Sequence, residues 1–98
     1  MSIIYVAGPY TKGDVAQNVR KAMDVGMQLN DRGHYAIIPH LLHFLHVIHP
    51  RSYHYWTELD NRIIPHCNEL VRIEGSSTGA DAEVELAESL NIPWRTWF

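Results

Sequence analysis

A small α/β fold is predicted here, with a parallel sheet of about four strands and helices on both of its faces. Three observations lead to it. Short, continuous apolar runs alternate with longer stretches of helical period. Each run ends at a Gly, a Pro or a turn of small residues. The order is strand then helix along the whole chain. With 98 residues there is room for one domain, expected to span residues 1–98. A hydrophobic content of 46% suffices for a core, although chains of this size bury only about 60–68% of their unfolded surface.

The elements follow in order. Ile3–Ala7 is an apolar run stopped by Gly8-Pro9, the pattern of a strand covered on both faces. A helix is predicted from about Asp14 to Asp31. Val15, Val19, Ala22, Gly26 and Leu29 recur in it at helical steps, with Ala16, Met23 and Met27 widening the stripe. Asp14 suits the N-cap and Gly33 the residue after the C-cap. Tyr35–Ile38 reads as a second strand, ended by Pro39. The segment from His40 to Pro50 fits either a short buried helix or an apolar lid loop. A second helix is expected over Tyr53 to Ile64, because Pro65 pushes the residue before it out of helical geometry. Glu69–Ile73 reads as a third strand, the residues from Gly75 to Gly79 as a turn, Ala80–Leu90 as a third helix and Ile92–Trp94 as a fourth strand. So narrow a sheet is expected to lean on a partner subunit. Trp94, Trp97 and Phe98 serve equally well as interface anchors or as residues folded back on the core.

Composition narrows the function. Eleven acidic and eight basic residues give a net charge of -3, which disfavours a protein that tracks nucleic-acid phosphates. Cys67 is alone, which excludes an internal disulfide framework and fits a reducing compartment. No segment approaches the roughly 20 apolar residues that span a bilayer, and the N-terminus lacks the basic region of a secretory signal. A cytoplasmic protein without membrane contact is expected.

Two acids sit on apolar faces. On a helical wheel Ala80, Val84, Leu86, Ala87 and Leu90 share one arc and Asp81, Glu85, Glu88 and Ser89 the other. Glu83 falls within the apolar arc, in the first turn, where the free N–H groups of the helix favour an anion. In the second helix Asp60 lies on the arc of Trp56, Leu59, Ile63, Ile64 and Cys67. A bland account is available for each: Glu83 capping its helix or paired with Arg72 or Arg95, and Asp60 paired with Arg20 or Arg51. Two inward acids near the same strand ends also suit glycoside chemistry, where an oxocarbenium-like transition state needs a nearby anion. Ligands of such sheets bind at the carboxyl ends of the strands. That brings in Gly8, Pro9 and Tyr10 after the first strand, His40 after the second, and the turn holding Ser77 and Gly79 before the last helix, a phosphate or ribose cradle. Neither GxGxxG nor a Walker loop occurs, and no cofactor is expected.

Five of the seven histidines lie between His40 and His54. His40, His43, His46 and His49 recur every third residue, a step that drifts by about 60° on a helix, so the four cannot converge on one ion. A pair such as His43 with His46 could. Without HExxH or Cys/His zinc spacing no metal site is expected, and these side chains suit an exposed or hydrogen-bonded lid.

Several of these residues together resemble the nucleoside 2-deoxyribosyltransferase-like superfamily, which includes small nucleoside 5′-monophosphate N-glycosidases. The matching motifs are Ile4-Tyr5-Val6-Ala7-Gly8-Pro9-Tyr10, Asn18-Val19 with Ala22, Gly33-His34, Asp60 with Asn68, and the run from Gly79 to Ala87. The resemblance implies a small doubly wound, flavodoxin- or Rossmann-like three-layer sandwich. It also implies an enzyme that cleaves the N-glycosidic bond of a nucleoside or its 5′-monophosphate, by hydrolysis or deoxyribosyl transfer. By that resemblance Glu83 is the nucleophile, Tyr5 orients it, Asp60 contacts the sugar and assists the leaving base, and Ser77 binds a 5′-phosphate. In several members a neighbouring subunit completes the pocket, so a homodimer or higher homo-oligomer is expected. The rival expectations are a nucleotide-binding module without turnover and, further off, a histidine-based metal protein.

Overall fold

Four parallel strands, β1 (Ile3–Ala7), β2 (Tyr35–Ile37), β3 (Glu69–Ile73) and β4 (Trp94–Trp97), bond in the order β2-β1-β3-β4 in this computed structural model, which describes residues 1–97. The helices are α1 (Val15–Asp31), α2 (Leu42–Ile48), α3 (Tyr53–Ile63) and α4 (Thr78–Ser89), with single 3-10 turns at Pro39–Leu41 and Ile64–His66. The connection from β1 to β2 runs one way along the sheet and that from β3 to β4 runs the other. Crossovers of one hand therefore place α1 and α4 on opposite faces. The result is the predicted doubly wound three-layer α/β sandwich.

Alternation along the central strands supplies both cores. Ile4 and Val6 of β1, with Val71 and Ile73 of β3, pack against Ala22, Val25 and Leu29 of α1. Tyr5 and Ala7, with Leu70, face the other way, onto Ile64, Cys67 and the α4 residues Ala80, Val84 and Ala87. Asp14 caps α1 by accepting from the Gln17 N–H at 3.1 Å. Pro65 ends α3 as expected, converting its last turn to 3-10 geometry. No helix among the described residues is long and apolar enough to cross a membrane.

Several expectations need correction. The buried stripe of α1 includes Val25, whereas Ala16, Met23 and Met27 are exposed. Val25 joins Ala22, Gly26 and Leu29 at steps of three and four, and Ile38 packs so close to Gly26 that a Cβ there would sit 2.3 Å from Ile38 Cδ1. The segment after Pro39 forms a helix, but α2 buries none of its residues. The fourth strand starts at Trp94 instead of Ile92. Asn91 takes a left-handed φ of 58° and the Ile92 N–H still bonds to Ala87, so the chain is leaving α4 at that point. Trp97 is a core residue against α1, 8% exposed, and its burial ends its candidacy as an interface anchor. Trp94 is 39% exposed, and Phe98 lies outside the described residues.

Candidate active site

The strand order reverses between β1 and β3, and the loops after these two strands lie side by side. Each is held by a polar contact. The Asn18 amide donates to the carbonyls of Tyr10 and Lys12, both at 2.9 Å, and pins the loop after β1 onto the first turn of α1. After β3, Arg72 folds back to the Ile73 and Gly75 carbonyls and to Asp81. Gly75 has φ +123°, and a Cβ on it would stand 2.8 Å from Pro9 Cγ, so only glycine lets the two loops meet. Lys12 bridges them by donating to Ser76 at 3.0 Å. Ser77 caps α4, accepting from the Ala80 N–H at 3.1 Å.

This framework brings the two inward acids into one cavity. Tyr5, fully buried in β1, donates its hydroxyl proton to Glu83 Oε2 on α4. Asp60 comes from α3, and both carboxyls line the same cavity of about 790 Å³. Burial raises Glu83 to about 7, with Tyr5 opposing, the Asp60 charge adding and Arg72 opposing. Burial likewise raises Asp60 to about 7, again against the Tyr5 hydroxyl. A phenol can donate only one hydrogen bond, and Glu83 accepts it. Tyr5 itself is pushed well above its usual range, first by burial and then by the Glu83 and Asp60 charges, and so it remains a donor at any working pH. The salt-bridge accounts of these acids fail. Arg72 pairs with Asp81, Arg95 with Glu69 and Arg20 with Asp24, while Arg51 stacks on Tyr55 and binds the Pro50 carbonyl.

Gly8, Tyr10, His40, Ser77 and Gly79 line the cavity as well. Pro9, predicted to meet the ligand, does not line it; the Pro9 carbonyl is 2.9 Å from His40 Nε2. His40 is 6% exposed, its Nδ1 is buried without a partner, and burial lowers its pKa against the Pro9 and Gly8 carbonyls. His43 and His46 are engaged separately. Each bonds to an aromatic residue on another element, Tyr10 at 2.7 Å and Trp56 at 2.9 Å. No group of three His, Cys, Asp or Glu side chains among the described residues could hold a metal ion.

Sequence reasoning missed Lys12, Tyr53 and Trp56 as wall residues. One signal existed for Trp56, which stands one helical turn before Asp60 and on the same arc.

The profile of one family, a domain of unknown function designated DUF7768, matches residues 2–97. The chain belongs to the DUF7768 family. No curated protein matches this DUF7768 domain. Among solved structures it is similar to a 2-deoxyribosyltransferase from the psychrotolerant bacterium Bacillus psychrosaccharolyticus, with a TM-score of 0.69 and 22% identity, over 96% of this chain and 70% of that one. A distant deoxyribosyltransferase-like fold is therefore common to both.

Proposed function

We propose that this DUF7768 domain cleaves the N-glycosidic bond of a nucleoside or a nucleoside 5′-monophosphate by a retaining double displacement. Support comes chiefly from the Tyr5 hydroxyl, which reaches out of the core to hold Glu83 in a cavity that also contains Asp60. The similarity to a 2-deoxyribosyltransferase fold agrees with it.

In the first step a Glu83 carboxylate oxygen bonds to the anomeric carbon as the bond to the base nitrogen breaks. The electron pair of that bond leaves with the base, and protonated Asp60 gives the nitrogen its proton. In the second step a water oxygen bonds to the same carbon, the bond to Glu83 breaks, and Asp60 takes the water proton. A second base in place of water gives transfer; hydrolysis is the preferred outcome. Two carboxyls both displaced to about 7 suit this exchange, since one is ionised while the other still holds a proton near neutrality. Tyr10, His40, Ser77 and Gly79 bind the rest of the substrate in this reading, with Ser77 and the N-terminus of α4 facing a 5′-phosphate when one is present. No cofactor takes part. The working form is a homodimer or higher homo-oligomer, because α2 leaves Phe44, Leu45, Val47 and Ile48 half or more exposed.

Mass spectrometry of free base released from a panel of nucleosides and their 5′-monophosphates tests the reaction. At least one member should release base, and Glu83→Ala should abolish the release while far-UV circular dichroism stays unchanged. Release that survives Glu83→Ala would refute the assignment. Ligand binding without release from any substrate would make the protein a binding module instead.

A further inference from the structure

His43 and His46, both on α2, are left unused by the proposed reaction, and α2 is the element that needs them. A helix of seven residues has little stability of its own, and α2 buries no residue. Polar contacts tie it down. His43 reaches Tyr10 on the loop after β1, and His46 reaches Trp56 on α3. All four side chains line the cavity, so these bonds fasten α2 beside it from two directions.

His46 is the more informative of the pair. Its Nδ1 accepts from Trp56 Nε1 at 2.9 Å and from the Arg51 backbone N–H at 3.2 Å. Indole and amide N–H groups can only donate, so Nδ1 carries a lone pair and the ring proton sits on Nε2. We propose that neutral His46 is a positioning residue, holding the Trp56 indole as a wall of the cavity and α2 in place beside it, and that protonation of His46 releases both. A solvent proton bound at Nδ1 removes the acceptor of two hydrogen bonds and sets an N–H donor against two others. Histidine is the side chain whose charge changes in the physiological range.

The titratable and charged groups that share the cavity with His46 come from every wall. Lys12 and Tyr10 lie on the loop after β1, and His40 and His43 on its own segment. Tyr53 and Asp60 belong to α3, and Glu83 to α4. Beyond Trp56, a cleft of about 350 Å³ is lined by His49, Arg51 and Tyr55. His54 and Glu58, also on α3, pair with each other. None of these side chains forms an ion pair with His46 among the described residues.

Hydrogen exchange of the Trp56 indole N–H, followed by NMR and corrected for the intrinsic pH dependence of exchange, tests the proposal. It needs no substrate, so its outcome is independent of the base-release assay. Protection should be present at about pH 8 and fall roughly tenfold or more by about pH 5, as expected for the loss of the one hydrogen bond the indole makes to His46. His46→Asn, whose amide oxygen can replace Nδ1 without titrating, should keep its protection at both values. His46→Leu should lack it at both, with exchange of the β1 and β3 amides unchanged. Wild-type protection that is the same at both pH values would overturn the proposal, and so would acid-induced loss in His46→Asn that matches the wild type. Should His46→Leu fail to fold, the comparison of wild type with His46→Asn decides.

Discussion

Burial of Glu83 and Asp60 works against the fold in order to place them. Folding moves both carboxyls from the ordinary range near 4 to about 7. Because the folded value is the higher one, the folded protein holds these protons more tightly than the unfolded chain. The penalty is absent below about pH 4, grows as pH rises, and is complete above about pH 7. Glu83→Gln is therefore expected to stabilise the fold at pH 8 by on the order of 1–3 kcal/mol, several degrees in Tm, with the advantage vanishing near pH 4. Thermal melts at the two pH values check this, and a variant that melts below the wild type at pH 8 would contradict it. Tyr5→Phe removes the hydrogen bond that opposes the rise of Glu83. It should lower kcat by about 10- to 100-fold, the worth of a bond to a charged group, and shift the acid limb of the pH–rate profile upward. That profile should be bell-shaped around neutrality, with two limbs that belong to the carboxyl pair jointly; Asp60→Asn should flatten its alkaline side. At this scale much was legible: the helical wheel alone turned Glu83 and Asp60 inward. The contact between Tyr5 and Glu83 was not, because it joins residues 78 positions apart and came only with the family resemblance.

Elements place these groups, and two of them are sensitive to single atoms. Gly26 lets α1 lie against Ile38, and a Cβ there would meet two Ile38 carbons within 2.6 Å. Gly26→Ala should cost about 1–3 kcal/mol through overpacking, read as a lower denaturant midpoint with an unchanged slope. Ser77→Ala removes the cap of α4 and should cost about 0.5–2 kcal/mol. If Ser77 also meets a 5′-phosphate, KM for monophosphates should rise in this variant while KM for nucleosides does not. Element existence could be read from period and punctuation: β1, α1 and β3 match their predicted spans closely. The α2 segment and the start of β4 could not. The first has an apolar sequence but no neighbouring element to bury it, and the second waits on the left-handed turn at Asn91.

The whole molecule raises the question of assembly. A chain of 11.3 kDa that leaves Phe44, Val47 and Ile48 more than half exposed is expected to sediment as a homodimer or larger species at micromolar concentration. A single species of monomer mass would contradict that. By itself the sequence determined the strand–helix order, the doubly wound sheet that follows from it, and the inward direction of two acids, because periodicity and turn chemistry are local properties. The tertiary structure alone decided that Tyr5, Asp60 and Glu83 meet in one cavity, that Pro9 holds His40 instead of lining it, and that Trp97 belongs to the core. It also gave His40, His43 and His46, which a step of three scatters around a helix, separate partners on the loop after β1 and on α3. Such contacts depend on where distant strands end in space, and that is set by sheet order and packing rather than by the spacing of residues along the chain.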